Sequence, residues 1–211
     1  RVEQIDPIRF VNYERPVEGK FVNNGHSVQV NIPNYSEDPE IFGGELDQVY
    51  RLIQYHFHWG QQDHEGSEHT LAGLRYPAEL HLVHQGVDDP SKLAVLGVFL
   101  KLAPDGEALE SEAQHLDEIV EPNSATTIAH IILKKKLPKN TKSFWRYHGS
   151  LTTPPCSECV TWTIFTEPVN ITKEQLAKLR QIKDVECEPL RKNYRPVQPL
   201  NKRQVRHVLA K

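Results

Sequence analysis

Three of the eleven histidines in this 211-residue chain stand at spacings that suit a metal ion. His56 and His58 lie in Gln54-Tyr55-His56-Phe57-His58-Trp59-Gly60, and His81 lies in Glu79-Leu80-His81-Leu82-Val83. Both stretches read as β-strands, where side chains alternate between faces with period two. Gln54, His56 and His58 then share one face, with Ile53, Tyr55, Phe57 and Trp59 behind. Glu79, His81 and Val83 share another, with Leu80 and Leu82 behind. If the two polar faces look the same way on one sheet, three imidazoles converge. Three neutral nitrogen donors suit Zn²⁺, and three protein ligands leave a fourth position open, the pattern of a catalytic rather than a structural zinc. A zinc-bound histidine gives its other N–H to a nearby acceptor. Gln54 and Glu79, each two residues before a ligand and on its face, are placed for that role. Any one of these histidines alone would be an ordinary polar sheet residue; the combination favours the metal.

The elements that must position these residues are mostly strands. Residues 8–11 form a short strand, and residues 21–32 a hairpin turned at Asn24-Gly25, a strong hairpin signal. His26 follows that turn. Residues 33–47 read as a loop, 49–59 and 78–84 as the two ligand strands, and 60–74 as a polar loop. Residues 93–100 are an almost unbroken apolar run, short enough for a strand buried on both faces. Residues 107–120 place Leu109, Ala113, Leu116 and Val120 at helical spacing, which predicts an amphipathic helix with an acidic outer face. Residues 126–133 are strand-like, and Lys134–Lys136 reads as a solvated run. Residues 144–155 read as irregular, ending in a rigid Pro154-Pro155 loop. Residues 159–165 alternate again, with Val160, Trp162 and Ile164 on one face. Residues 172–182 form a short helix with Thr172 and Gln175 as a capping box. The tail at 193–200 is extended. There are no repeats and no convincing linker, so one mostly-β (α+β) domain over residues 1–211 is expected.

Composition narrows the function. The formal net charge of −3 gives no case for nucleic acid or an anionic membrane surface. No apolar run approaches the ~18 residues that suggest a membrane-spanning helix. The sequence has no methionine, so residue 1 is not a translation start and a processed or trimmed chain is expected. Cys156, Cys159 and Cys187 make an odd count, which leaves at least one thiol free or paired outside the chain. Asn34-Tyr35-Ser36 and Asn170-Ile171-Thr172 are glycosylation triplets, usable if the protein is secreted.

Four motifs in order carry a resemblance. They are His56-Phe57-His58-Trp59-Gly60, Gly66-Ser67-Glu68-His69-Thr70, Glu79-Leu80-His81-Leu82-Val83-His84 and Ser150-Leu151-Thr152-Thr153-Pro154-Pro155. Together with Asn24-Gly25-His26, Val95-Leu96-Gly97 and Arg195-Pro196, the chain resembles the α-carbonic anhydrases. That resemblance implies a large, twisted, mainly antiparallel sheet with surface helices and zinc at the base of a conical cleft. It implies reversible hydration of carbon dioxide to bicarbonate and a proton by zinc-bound hydroxide. Zinc lowers the pKa of its water to about 7, a figure known from carbonic anhydrase itself rather than derived for this chain. Carried over, His56, His58 and His81 are the zinc ligands. Gln54, Glu79 and the backbone carbonyl of Asn193 are the acceptors behind them. The Thr152 hydroxyl donates to Glu68 and orients the hydroxide. Val83, Val95, Leu151 and Trp162 form the apolar wall for carbon dioxide, with Thr153 where bicarbonate binds. His26 is the proton shuttle, since imidazole changes charge near neutral pH.

Without the family, Glu68 and Thr152 would be solvent and turn residues, and Val83, Val95 and Trp162 ordinary core. Tyr147 and His148 are read as structural; His64, His69, His84, His115, His130 and His207 as packing or surface. The family normally carries a further amino-terminal segment. Its secreted and membrane-tethered members bond a cysteine there to the position of Cys156. The resemblance therefore implies an extracellular or membrane-tethered protein, with a cytoplasmic one as the alternative. The partner of Cys156 would be that segment, another chain or Cys187, if it is not free. A catalytically silent carbonic-anhydrase-like binding module is the alternative function. Silent relatives usually lack a zinc histidine, and here all three are present.

Overall fold

A computed structural model describes residues 3–34 and 36–211. Its strands are β1 (Glu3–Ile5), β2 (Ile8–Val11), β3 (Val17–Asn23), β4 (Val28–Asn31), β5 (Glu40–Gly43), β6 (Tyr50–Trp59) and β7 (Ala78–Gly86). There follow β8 (Leu93–Leu102), β9 (Ala125–Ile131), β10 (Ser143–Gly149), β11 (Val160–Phe165), β12 (Val169–Ile171) and β13 (Arg206–Ala210). The α-helices are α1 (Glu110–Ala113) and α2 (Lys173–Leu179). One sheet runs β1-β13-β10-β11-β8-β7-β6-β4-β3-β9; β12 also pairs with β8, and β5 bridges β2 to β6. The pairs β1/β13, β11/β8 and β12/β8 are parallel and the rest antiparallel, so the mainly antiparallel expectation holds.

The centre is the ladder β6-β7-β8. Its register sets Gln54 opposite Val83, His56 opposite His81 and His58 opposite Glu79. On β8, Gly97 lies opposite His81 and Val95 opposite Val83. The apolar run at 93–100 is almost wholly buried, because β8 is covered on both faces. Behind the ligand strands, Tyr55, Phe57, Trp59, Leu80 and Leu82 enter the main core. On the histidine side, Val83, Val95, Phe99, Val160, Trp162 and Ile164 form a second, smaller cluster. Fully burying one such side chain is worth about 1.5–3 kcal/mol, so both faces of the ladder are strongly anchored.

Several expectations change. The register of β6 shifts between Leu52 and Gln54, a β-bulge, so Ile53 packs on the second cluster rather than with Tyr55. The 33–47 loop contains β5, which closes the edge of β6. Residues 143–149 are the strand β10, not irregular chain. Residues 107–120 do not form one helix: α1 stands between short 3₁₀ turns at Glu107–Leu109 and Leu116–Glu118. Its face is not uniformly acidic and solvated either. Glu112 is buried and pairs with Lys136 Nζ at 2.6 Å, so Lys136 is also buried rather than solvated. Tyr55 donates its hydroxyl to the same carboxylate, which ties α1 to the back of the ligand strand. The capping box at Thr172 and Gln175 forms as expected.

Cys156, Cys159 and Cys187 are free thiols, so Cys156 pairs with neither of the others. The glycosylation triplet at 34–36 includes Tyr35, outside the described residues. In the other triplet, Asn170 sits on β12, half-buried, and donates to Asp105 at 3.1 Å. No helix among the described residues is long and apolar enough to cross a membrane.

Candidate metal centre

The alternation of β6 and β7 brings His56, His58 and His81 together, with one potential ligand atom from each lying within 4.8 Å of the others. Ring centroids are 4.9 Å apart for His56–His58, 5.3 Å for His56–His81 and 4.6 Å for His58–His81. Each ring has one nitrogen committed elsewhere. His56 Nδ1–H donates to Gln54 Oε1 at 2.8 Å, and His58 Nδ1–H donates to the Asn193 carbonyl at 2.8 Å. His81 Nε2–H donates to Glu79. The nitrogens left over are His56 Nε2, His58 Nε2 and His81 Nδ1. His58 Nε2 is buried with no hydrogen-bond partner. Burial holds His56 well below the ordinary imidazole range, and the charges of His58 and His81 add to it. Burial likewise lowers His58, against the pull of Glu68. Neutral imidazoles with outward-facing lone pairs are what zinc requires, so the residues present fit the ion.

The three histidines open into a cavity of about 760 Å³. Its wall contains Val83, Val95, Leu151, Thr152, Thr153 and Trp162, and its mouth includes His26 and Asn193. Trp162 packs its ring 4.8 Å from that of His81. His26 is exposed on the turn after Gly25, whose φ of +82° suits glycine there. Asn193 Nδ2 donates to the His26 carbonyl at 3.0 Å, fixing that turn to the segment that also supports His58.

Comparison with known proteins agrees with the geometry. The family described as eukaryotic-type carbonic anhydrase matches residues 1–209. The chain belongs to this family. A Caenorhabditis elegans protein named "Putative carbonic anhydrase 3" is 61% identical over 210 residues, covering 100% of this chain and 85% of its own length. Another from the same organism, "Putative carbonic anhydrase 5", is 39% identical over 216 residues, covering 97% of this chain and 70% of its own.

Around the histidines the chain shows a deeper network than its motifs suggest. Glu79 is fully buried, which pushes its carboxyl up, yet His69 and His81 outweigh that and hold it well below the usual range. His69 Nδ1–H donates to Glu79 Oε2 at 2.8 Å, and its backbone N–H to Oε1 at 3.1 Å. His69 Nε2 accepts from the Tyr147 hydroxyl at 2.6 Å. His69 and Tyr147, assigned only to packing from the sequence, therefore stand directly behind the acceptor of His81. The signal was present: His69 lies inside the Gly66–Thr70 motif, and Tyr147 alternates with Arg146 and His148. Reading 144–155 as irregular concealed it.

Glu68 is buried against the histidines, with Oε1 3.2 Å from His58 Nε2 and 3.9 Å from His81 Nδ1. Its Oε2 accepts from the Arg195 backbone N–H at 2.6 Å. No hydrogen bond joins Thr152 to Glu68 among the described residues, and Glu68 Oε1 is buried without a hydrogen-bond partner. Thr152 and Glu68 do border a common cavity.

Proposed function

We propose that this chain catalyses the reversible addition of water to carbon dioxide, giving bicarbonate and a proton. The observation that carries the reading is the set of three uncommitted ring nitrogens facing a cleft with an apolar wall. His56 Nε2, His58 Nε2 and His81 Nδ1 would hold the zinc ion. Zinc bound there supplies Lewis acidity, lowering the pKa of a water ligand to about 7, the value known for carbonic anhydrase itself.

The chain's own residues do the rest. Gln54, Glu79 and the Asn193 carbonyl fix the tautomers and tilts of the three rings. His69 and His81 keep Glu79 ionised, and the Tyr147 hydroxyl holds the His69 ring that aims it at His81. Val83, Val95, Leu151 and Trp162 offer an apolar surface to an uncharged, apolar substrate and need no charged clamp. An ionised Glu68 accepts hydrogen bonds only, so a Thr152 hydroxyl that reaches it across their common cavity would do so as a donor, leaving its oxygen free to accept. Thr153, at the exposed side of the cleft, meets the departing anion. His26, exposed at the mouth, takes protons out to buffer. An extracellular location rests on Cys156, and its oxidation state in protein from the native source would test that.

The test is carbon dioxide hydration by stopped flow on the zinc-loaded chain and on His56→Ala, His58→Ala and His81→Ala. Each substitution should abolish zinc-dependent hydration while circular dichroism stays that of the parent. Undiminished hydration in any of the three would remove the assignment.

A further inference from the structure

Lys192 and Arg195 both border the cleft that holds the three histidines, and no aspartate or glutamate does so among the described residues. The whole chain carries a formal net charge of −3, so this mouth runs against the average of the molecule. Lys192 is exposed, and neither its ammonium nor the Arg195 guanidinium forms an ion pair among the described residues. Two further charged groups, Glu65 and Arg75, lie on Tyr194 and offset one another. The Tyr194 hydroxyl donates to Glu65 Oε2 at 2.6 Å, and the Arg75 guanidinium stands 4.4 Å from the centre of the ring.

Asn193 fixes the chain beside Lys192 to this rim. Its backbone N–H donates to the Trp59 carbonyl at 3.2 Å, and its Oδ1 accepts from the Trp59 N–H at 2.7 Å. Its Nδ2 donates to the carbonyls of His26 at 3.0 Å and Phe57 at 3.1 Å. The stem of Lys192 therefore starts from a point tied both to the end of β6 and to the His26 turn, while its ammonium stays in solvent. At the base of the cleft, the buried carboxylates Glu68 and Glu79 stand against His58 and His81. When ionised, these two offset the charge of a zinc ion. The sign of the field at the mouth is then set by Lys192 and Arg195, and it is positive. A cleft lined by charge of one sign raises the local concentration of the opposite ion.

We propose that Lys192 is a specificity-determining residue that draws small anions, bicarbonate above all, to the metal centre. This rests on the hydration reading given above. Carbon dioxide is uncharged and is indifferent to this field; bicarbonate is not. Lys192 thus strengthens anion binding at the metal and leaves the uncharged substrate to the apolar wall. It acts through solvent rather than by contact, so its effect is graded by charge and screened by salt.

The test uses the chain loaded with cobalt(II), whose visible absorption reports both occupancy of the three histidines and replacement of a metal-bound water by an anion. The parent, Lys192→Ala and Lys192→Glu are titrated with sodium thiocyanate, a small monovalent anion like bicarbonate. The titration is run at about pH 6, below the pKa of about 7 known for such a water. At an ionic strength of about 0.01 M the screening length is about 30 Å. There Lys192→Ala should weaken binding about threefold and Lys192→Glu about tenfold, since reversing a charge changes the field twice as much as removing it. At about 1 M, with a screening length of about 3 Å, the three chains should agree. Equal affinities in the parent and Lys192→Glu at low ionic strength, with cobalt bound in each, would overturn this proposal alone. So would a difference that persists undiminished at high salt, because it would lie in contacts rather than in the field. A parent that holds no cobalt would remove the hydration reading, and this proposal with it.

Discussion

His84 should make this protein sensitive to mild acid. It lies on β7, three residues past His81, and is fully buried. Its Nδ1–H donates to the carbonyls of Leu82 at 3.0 Å and Ala94 at 3.1 Å. Its Nε2 accepts from the Tyr13 hydroxyl. Burial keeps that phenol far above its ordinary range, so it stays a donor. A second proton on His84 would have to displace the Tyr13 hydrogen bond in a fully buried site. Accordingly burial lowers the imidazole pKa from 6.5 to about 4. The unfolded chain binds that proton at the ordinary value and the native chain does not. Stability is therefore complete above about pH 6.5 and falls as the pH drops toward 4. The difference between 6.5 and about 4 corresponds to about 3 kcal/mol. Glutamine at this position retains a donor and an acceptor but no titration. Urea unfolding of the metal-free parent and His84→Gln, from about pH 7.5 down to about pH 4, isolates the term, because the other histidines are common to both. The parent should lose about 3 kcal/mol more than the variant across that window. Parallel curves would refute the reasoning.

Glu79→Gln should weaken zinc binding by about 10–100-fold in a competition titration with a chromophoric chelator, since it removes the charge behind His81. An affinity unchanged from the parent would contradict that role. Lys136→Met should cost about 3–5 kcal/mol in urea unfolding, because it strands the buried Glu112 carboxylate. Adding Glu112→Gln should recover part of the loss as a double-mutant cycle, whereas simple additivity would show no coupling. His26→Ala should lower hydration at least about tenfold in dilute buffer, with recovery in concentrated imidazole. A loss that concentrated buffer does not repair would place the defect elsewhere.

The ligand strands were legible because alternation and polarity coincide there. Gln54, His56 and His58 face a cleft, while Tyr55, Phe57 and Trp59 face a core. The faces of these residues followed from the same pattern, except at Ile53, where one extra residue in a bulge reverses the face and leaves no local trace. The strand β10 escaped because both of its faces carry polar groups, Tyr147 toward His69 and Arg146 toward Thr163. Each finds its partner far along the chain, so its composition resembles a loop. Lys136 and Glu112 mislead for the same reason: each reads as solvated alone, and only packing of α1 against β6 buries them as a pair. The strands β1 and β13 join the two ends of the chain, a pairing that no local window contains. The family motifs supplied Glu68 and Thr152, which physical reading of single residues would have left on the surface.

Adding zinc in steps to the chelator-treated chain, and recording the initial hydration rate by stopped flow at each step, tests most directly whether His56, His58 and His81 hold a zinc ion on which carbon dioxide hydration depends. The rate should rise from the buffer background in proportion to zinc and level off at one equivalent per chain. One equivalent bound with the rate still at background would contradict the claim.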